Sequence, residues 1–185
     1  MVSSGRRFLL YSLFLLFLLS SGATRVAESK GSQTGLCERL KPCQLLAQSE
    51  AEGILRQPVR LIQDASEMKG DVRQCLCAYT GLSKDKPAGQ DTYLFFSVEQ
   101  REEKPSVEQA RQVLKSTKEE NAFDSSIFDL DGTGDEAFLL SNDPYYGLIM
   151  ARKGAIIMRL QMKHATDKKS LEELKIFAAK VSKQL

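Results

Sequence analysis

The chain of 185 residues contains four cysteines, and their thiols are the most reactive groups in the sequence. They are Cys37, Cys43, Cys75 and Cys77. An even number of cysteines in an exported chain is typical of a disulfide framework, so two structural disulfides are the favoured interpretation. A four-thiolate zinc site is less favoured, because zinc ligands usually come in pairs about two to four residues apart and a single residue separates Cys75 from Cys77.

Cys75 and Cys77 could alternatively form the redox pair of a thiol–disulfide oxidoreductase. Such enzymes usually carry Cys-x-x-Cys at the N-terminus of a helix, which lowers the thiol pKa, whereas the residues around Cys75 predict a strand. In a strand, the Cα atoms of Cys75 and Cys77 would lie about 6.5 Å apart on one face, at the outer limit for a disulfide. We therefore expect both to bond to the earlier segment. We favour Cys43 with Cys77 and Cys37 with Cys75, although the spacing alone leaves the crossed pairing open.

Three aspartates around a glycine-rich turn form a second candidate site. They are Asp129, Asp131 and Asp135. Aligning Gly132 with the glycine of an EF-hand loop puts Ile127 and Phe138 at the two end positions, where calcium needs oxygen ligands, so the EF-hand is excluded. An acidic turn before a strand is the favoured interpretation, and a looser calcium-dependent binding module at these aspartates is the alternative.

His164 is the single histidine of the chain. A catalytic histidine needs a nucleophile or substrate and an orienting partner, and the sequence contains no Gly-x-Ser-x-Gly nucleophile motif. One histidine also falls short of a usual zinc site. We therefore expect His164 to face solvent at the end of a strand, and we predict neither a catalytic residue nor a cofactor.

Three aromatic residues lie near a predicted Asn142-Asp143-Pro144 turn. They are Phe138, Tyr145 and Tyr146. Aromatic side chains serve partner surfaces well, which makes a pocket or an interface one interpretation. Packing in the protein core is the favoured one.

The N-terminus has the three parts of a secretory signal peptide. Arg6 and Arg7 supply the positive region, Phe8 to Leu19 form the apolar region, and Ser21-Gly22-Ala23 place small residues before the cleavage site. The apolar run is shorter than the ~20 residues of a membrane-spanning helix. We expect cleavage after Ala23, a flexible leader over 24–36, and a secreted or periplasmic domain over 37–185; a retained N-terminal anchor is the alternative.

The expected mature chain is electrically neutral. The full chain has 26 basic and 24 acidic residues, and the two arginines of the signal leave with it while no acidic residue does. A neutral domain has no global field that would attract nucleic acid or anionic lipid. We therefore expect no nucleic-acid partner and, after signal cleavage, no stable membrane span.

Periodicity and turn residues predict an alternation of helices and strands. The expected helices cover 45–55, with Ser49 and Glu52 as a capping box, 106–118, with Ser106 as its cap, and the C-terminus from about Thr166. The expected strands cover 59–62, 75–80, 92–98, 123–130, 137–140, 146–151 and 155–162. Short loops around Gly70, Gly89 and Gly154 indicate hairpins, so we predict a single α+β domain with a curved antiparallel sheet and the last two helices packed on it.

Four stretches of the chain carry a resemblance to a known family. They are Cys43 to Val59, Cys77-Ala78-Tyr79, Gly132 to Phe138, and the hairpin with Lys153-Gly154 at its tip. In this order they resemble small secreted bacterial domains of uncharacterised function with a PsbP-like α/β sandwich; the additional pair Cys37 and Cys75 departs from that pattern. The resemblance implies an exported location and an accessory, non-enzymatic role in binding a partner protein or a small ligand.

Overall fold

The computed structural model describes residues 35–82, 91–142, 146–164 and 168–185. The expected signal peptide, most of the leader, the polar loop around Gly89, Tyr145 and Thr166 lie outside these residues. The described part contains five helices and seven strands. The helices are α1 (Leu36–Leu40), α2 (Pro42–Leu45), α3 (Gln48–Leu55), α4 (Val107–Glu120) and α5 (Lys168–Ser182). The strands are β1 (Val59–Lys69), β2 (Val72–Gly81), β3 (Tyr93–Arg101), β4 (Ser126–Asp129), β5 (Glu136–Asn142), β6 (Tyr146–Lys153) and β7 (Ile156–Lys163).

All seven strands form one antiparallel sheet in the order β1-β2-β3-β7-β6-β5-β4. Two of its hairpins turn at glycines with positive φ, Gly70 between β1 and β2 and Gly154 between β6 and β7. Glycine adopts this conformation without the steric cost that a Cβ atom would bring. The predicted α+β class and the antiparallel sheet are therefore confirmed.

Strands β5 and β6 are apolar on both faces of the sheet. On β6, Leu148 and Met150 pack against α4, whereas Ile149 and Ala151 belong to the larger core shared with α5. Side chains alternate between faces along a strand, so this double pattern requires a covering layer on each side. We call the two sides the α4 face and the α5 face. The helices predicted to pack on the sheet do so, but from opposite sides.

The α5 face carries the larger core. Leu174, Phe177 and Val181 of α5 are buried there, and the ring of Phe177 meets that of Phe96 on β3 edge to face, with centroids 5.9 Å apart. The apolar stripe predicted for the C-terminal helix is thus the side that faces the sheet. Helices α1 to α3 cover the same face over β1 and β2.

The strand predicted over 123–130 is present only over Ser126–Asp129, as β4. Two further predicted elements also differ from the structure. Strand β1 continues to Lys69 instead of ending at Ile62, because its backbone pairs with β2 along its length even though its side chains are mostly exposed. Helix α3 begins at Gln48, after Ala47, so Ser49 lies inside the helix and the predicted capping box does not form. The Gln48 side chain donates a hydrogen bond to Glu52 instead. The Ser106 cap of α4 is confirmed, since its hydroxyl accepts the Gln109 amide.

Candidate functional site

The four cysteines form two disulfides between the N-terminal helices and β2. Cys37 bonds to Cys75 and Cys43 to Cys77, with Cα atoms 5.4 and 5.1 Å apart. The favoured pairing is therefore present. Cys75 and Cys77 bond to different partners and are fully buried, so the geometry gives no support to the alternative of a redox pair made by these two residues. Two disulfides indicate an oxidising, extracellular-type environment.

The glycine-rich segment between β4 and β5 is a tight loop shaped by two glycines. Gly132 and Gly134 have φ of 71° and 69°. A Cβ atom on Gly134 would lie 2.5 Å from the carbonyl oxygen of Arg152, whereas a Cβ on Gly132 would meet nothing. Two features therefore require glycine at position 134: its positive φ and the close approach of the β6 backbone.

Arg152 fastens this loop to the β6–β7 hairpin. Its side chain is only 4% exposed, and its guanidinium lies 2.9 Å from the Asp135 carboxylate and 3.3 Å from that of Glu136. The Asp135 carboxylate also accepts the Gly154 amide at 2.8 Å. That hydrogen bond, together with Lys153 and Arg152, lowers the pKa of Asp135. The acidic turn thus has a structural use, and its centre is Arg152, a residue that no sequence pattern singles out.

Glu136 connects the loop to α4 as well. Burial opposes ionisation of its carboxylate, but hydrogen bonds from Arg111 and Arg152 outweigh this effect and lower its pKa. The Arg111 side chain donates to Glu136 at 2.9 Å. At the other end of the loop, Lys118 of α4 pairs with Asp129. Two partly exposed ion pairs therefore connect α4 to the two ends of the loop.

Between these two ion pairs lies a cleft of about 400 Å³, here called the α4 cleft. One wall is the side of α4 that carries Arg111, Lys115 and Lys118, and the other is the loop from Asp129 to Glu136. Leu114 and Phe138 belong to the apolar cluster beneath them. The volume lies within the range of small-ligand sites in proteins. The spacing of the three basic residues, four and then three along α4, was the sequence signal for this wall, since such residues share one side of a helix.

The three aspartates do not meet as a metal site. Asp135 is engaged by Arg152, and Asp129 by Lys118. In the part of the chain that the structure describes, no group of three acidic, cysteine or histidine residues could hold a metal ion. The geometry therefore gives the calcium alternative no support. Asp131 is exposed on the cleft wall, and none of the described residues forms an ion pair with it.

Of the remaining candidate residues, Phe138 lines the base of the α4 cleft, whereas His164 and Tyr146 do not line it. His164 follows β7, and its carbonyl oxygen accepts the Thr92 hydroxyl at 3.3 Å. Phe138 is buried under α4, and half-buried Tyr146 packs against the same cluster, as the core-packing interpretation predicts. Burial raises the pKa of Tyr146. Tyr145 lies outside the described residues.

Comparison of the chain with protein-family models, curated proteins and solved structures finds no match. The resemblance to PsbP-like domains therefore stays a prediction. Within the described residues, no helix has both the length and the apolar character needed to cross a membrane.

Proposed function

We propose that this chain is an exported, non-enzymatic accessory domain that binds a partner protein or a small ligand, and that the binding site is the α4 cleft. The observation that carries the proposal is the bracing of the cleft. Arg152, Glu136 and Arg111 join three elements around it, so its walls are set before a ligand arrives. A preformed site loses less conformational entropy on binding than a flexible one.

The charges on the two walls indicate the ligand chemistry. Lys115 on α4 lies 3.8 Å from Glu119, its single ion-pair partner among the described residues, and both side chains are largely exposed. Such a pair contributes little, so the Lys115 ammonium is available to a ligand. Asp131 stands on the opposite wall without an ion-pair partner in the described segments. A compact ligand with a negative and a positive group, such as a free amino acid, a dipeptide or a charged turn of a partner protein, matches both walls.

The non-enzymatic character is part of the proposal. Most of the ammonium, guanidinium and carboxylate groups in the α4 cleft are paired with each other. A general base must instead lie within hydrogen-bond reach of the substrate proton that it removes. The fold assignment is proposed alongside it: helices on both faces of an antiparallel sheet support a PsbP-like sandwich.

Export is proposed from the signal-like N-terminus and supported by the two disulfides. The expected secreted protein begins at Thr24. Intact-mass measurement of the secreted protein checks this directly. A mass that includes residues 1–23 would contradict cleavage.

The ligand proposal is tested by titrating the oxidised chain with a panel of zwitterionic amino acids and dipeptides. We expect at least one of them to shift the backbone amide resonances of Gly132 and Gly134 and to raise the melting temperature. The Asp131→Asn and Lys115→Ala variants should weaken that binding about tenfold, the effect of losing roughly 1.4 kcal/mol of interaction.

The matched control is Asp124→Asn, since Asp124 is an exposed aspartate that does not line the cleft. It should leave the affinity unchanged. A panel in which no compound shifts the loop resonances would overturn the small-ligand form of the proposal. Equal weakening by Asp124→Asn and Asp131→Asn would show that binding follows overall charge and not the cleft.

A further inference from the structure

A second cavity lies on the other side of the sheet, beside α5. It is a groove of about 320 Å³ bounded by β4, β5 and the first half of α5. Phe128 and Leu139 are register partners on β4 and β5, and with Leu171 of α5 they give the groove an apolar base. The groove exists because α5 packs over β6 and β7, which leaves the α5 face uncovered above the last two strands.

One boundary of this groove is a free sheet edge. Strand β4 is the last strand of the sheet and, among the described elements, pairs with β5 alone. The outer backbone N–H and C=O groups of an edge strand can pair with an added strand. The side chain of Phe128 is 54% exposed along this edge, which is unusual for a large aromatic residue in a sheet. The edge thus offers both main-chain hydrogen bonds and an apolar anchor.

The opposite boundary is positively charged. Lys168 and Lys175 lie two turns apart on α5 and both line the groove. Lys175 pairs with Glu172 at 2.8 Å, whereas no described acidic residue forms an ion pair with Lys168. The groove wall therefore carries an excess positive charge, which favours a ligand with a carboxylate.

We propose that this groove binds an extended, acidic peptide segment of a partner protein, which adds as an eighth strand to the free edge of β4. Apolar side chains on the groove side of the peptide would lie against Phe128 and Leu171, and a carboxylate on the same side of the peptide, two residues away from one of them, would meet Lys168. Addition of a peptide strand beside a helix is a recurrent mode of peptide recognition, in which the main chain gives affinity and the groove gives specificity. A free fatty acid would use the apolar base and the lysines but leave the edge of β4 unpaired, so the peptide is favoured.

The proposal is independent of ligand binding in the α4 cleft, which lies on the opposite face. The test begins with selection of random linear peptides displayed on phage against the oxidised full chain. We expect enriched sequences with apolar residues at alternate positions and at least one Asp or Glu. A synthetic peptide of the enriched sequence should slow hydrogen exchange of backbone amides within 126–129.

Variants of the protein and of the peptide separate the contacts. Lys168→Glu should weaken binding of the synthetic peptide at least tenfold, whereas Lys169→Glu should change it less than twofold, because Lys169 is exposed on the same helix but does not line the groove. Two N-methylated forms of the peptide should be compared, one methylated at the odd-numbered backbone nitrogens and one at the even-numbered nitrogens. Only one of them should lose binding, because only one set of amides faces β4.

Several outcomes would overturn the proposal. The selection could enrich no peptide, or the enriched peptides could leave hydrogen exchange of the amides at 126–129 unchanged. Lys168→Glu and Lys169→Glu could weaken peptide binding equally. Both N-methylated peptides could bind as well as the unmodified one. Binding of decanoate in the groove without binding of any selected peptide would assign the groove to a lipid-like carboxylate instead.

Discussion

The guanidinium of Arg152 lies 2.9 Å from the carboxylate of Asp135, across 17 residues of chain. Arg152 is almost completely buried and Asp135 is partly exposed, so the pair joins the interior of the sheet to the wall of the α4 cleft. The same carboxylate accepts the Gly154 amide at the tip of the next hairpin. Asp135 therefore links the loop that borders the cleft directly to the β6–β7 turn.

Replacement of Arg152 by Gln should lower the free energy of unfolding by about 2 kcal/mol. It removes the cation of a buried pair and leaves two carboxylates without it, and the cost is moderated because those carboxylates are partly exposed to water. Urea unfolding measures the change. Arg101→Gln is the matched control, because its pair with Asp71 is exposed on both sides and should contribute less than about 1 kcal/mol. Equal losses in the two variants would contradict a central role for Arg152.

The two glycines of the loop should respond differently to alanine. Gly132→Ala places a Cβ at positive φ with free space around it, which costs about 1–2 kcal/mol. Gly134→Ala adds a clash with the Arg152 carbonyl, so its loss of stability should clearly exceed that of Gly132→Ala. Thermal unfolding of the two variants, compared with the unchanged chain, gives the order. A smaller loss for Gly134→Ala would show that β6 can withdraw from the loop.

The stability of the chain should fall in acid partly through this loop. The pKa of Asp135 is lowered from 3.8 by the Gly154 amide, and that of Glu136 is lowered from 4.5 by its two arginines. A lowered pKa in the folded state gives stability that is present above the unfolded-state value and is lost as pH falls through the folded-state value. The free energy of unfolding should therefore decline below about pH 4.5.

The variant Asp135→Asn should flatten that decline, and Asp131→Asn should not, because Asp131 has no ion-pair partner among the described residues. Urea unfolding between pH 7 and pH 3 measures both slopes. Glu102, whose pKa is lowered by the Arg73 hydrogen bond, contributes to the slope in all the proteins compared and so cancels between them. Identical slopes for the two asparagine variants would show that the loop does not couple to protonation.

Each disulfide should contribute about 2–4 kcal/mol to stability, because each closes a long loop of the unfolded chain. The paired replacements Cys37→Ser with Cys75→Ser, and Cys43→Ser with Cys77→Ser, test the bridges one at a time by denaturant unfolding. Paired replacement is needed because a single change would leave a free thiol able to exchange with the remaining bridge. Peptide mapping of the unreduced protein should recover both bridges with the pairing seen here, and free thiols in the secreted protein would contradict it.

Local signals in the sequence predicted much of the fold. Three of these signals depend only on neighbouring residues in the sequence: the Ser106 cap, the glycines at positions 70 and 154, and the apolar stripe of α5. Their effect on the backbone can therefore be predicted without knowledge of the fold. The spacing of Cys75 and Cys77 on one strand disfavoured a bond between them for the same local reason. What failed at this level was β1, because residues 63–69 have no buried side and become a strand only through main-chain pairing with β2.

The candidate site depended on contacts that no local pattern contains. Residue types and spacing were enough to predict an acidic glycine-rich turn before a strand and disulfides that anchor the N-terminal segment. Three features follow from the folded arrangement: Arg152 is buried against that turn, Lys118 pairs with Asp129 while Asp131 has no ion-pair partner among the described residues, and α4 and α5 cover opposite faces. These outcomes follow from the sheet order, which places residues far apart in sequence side by side. The energy of a charge depends on its neighbours and its burial, and neither exists until the strands have paired.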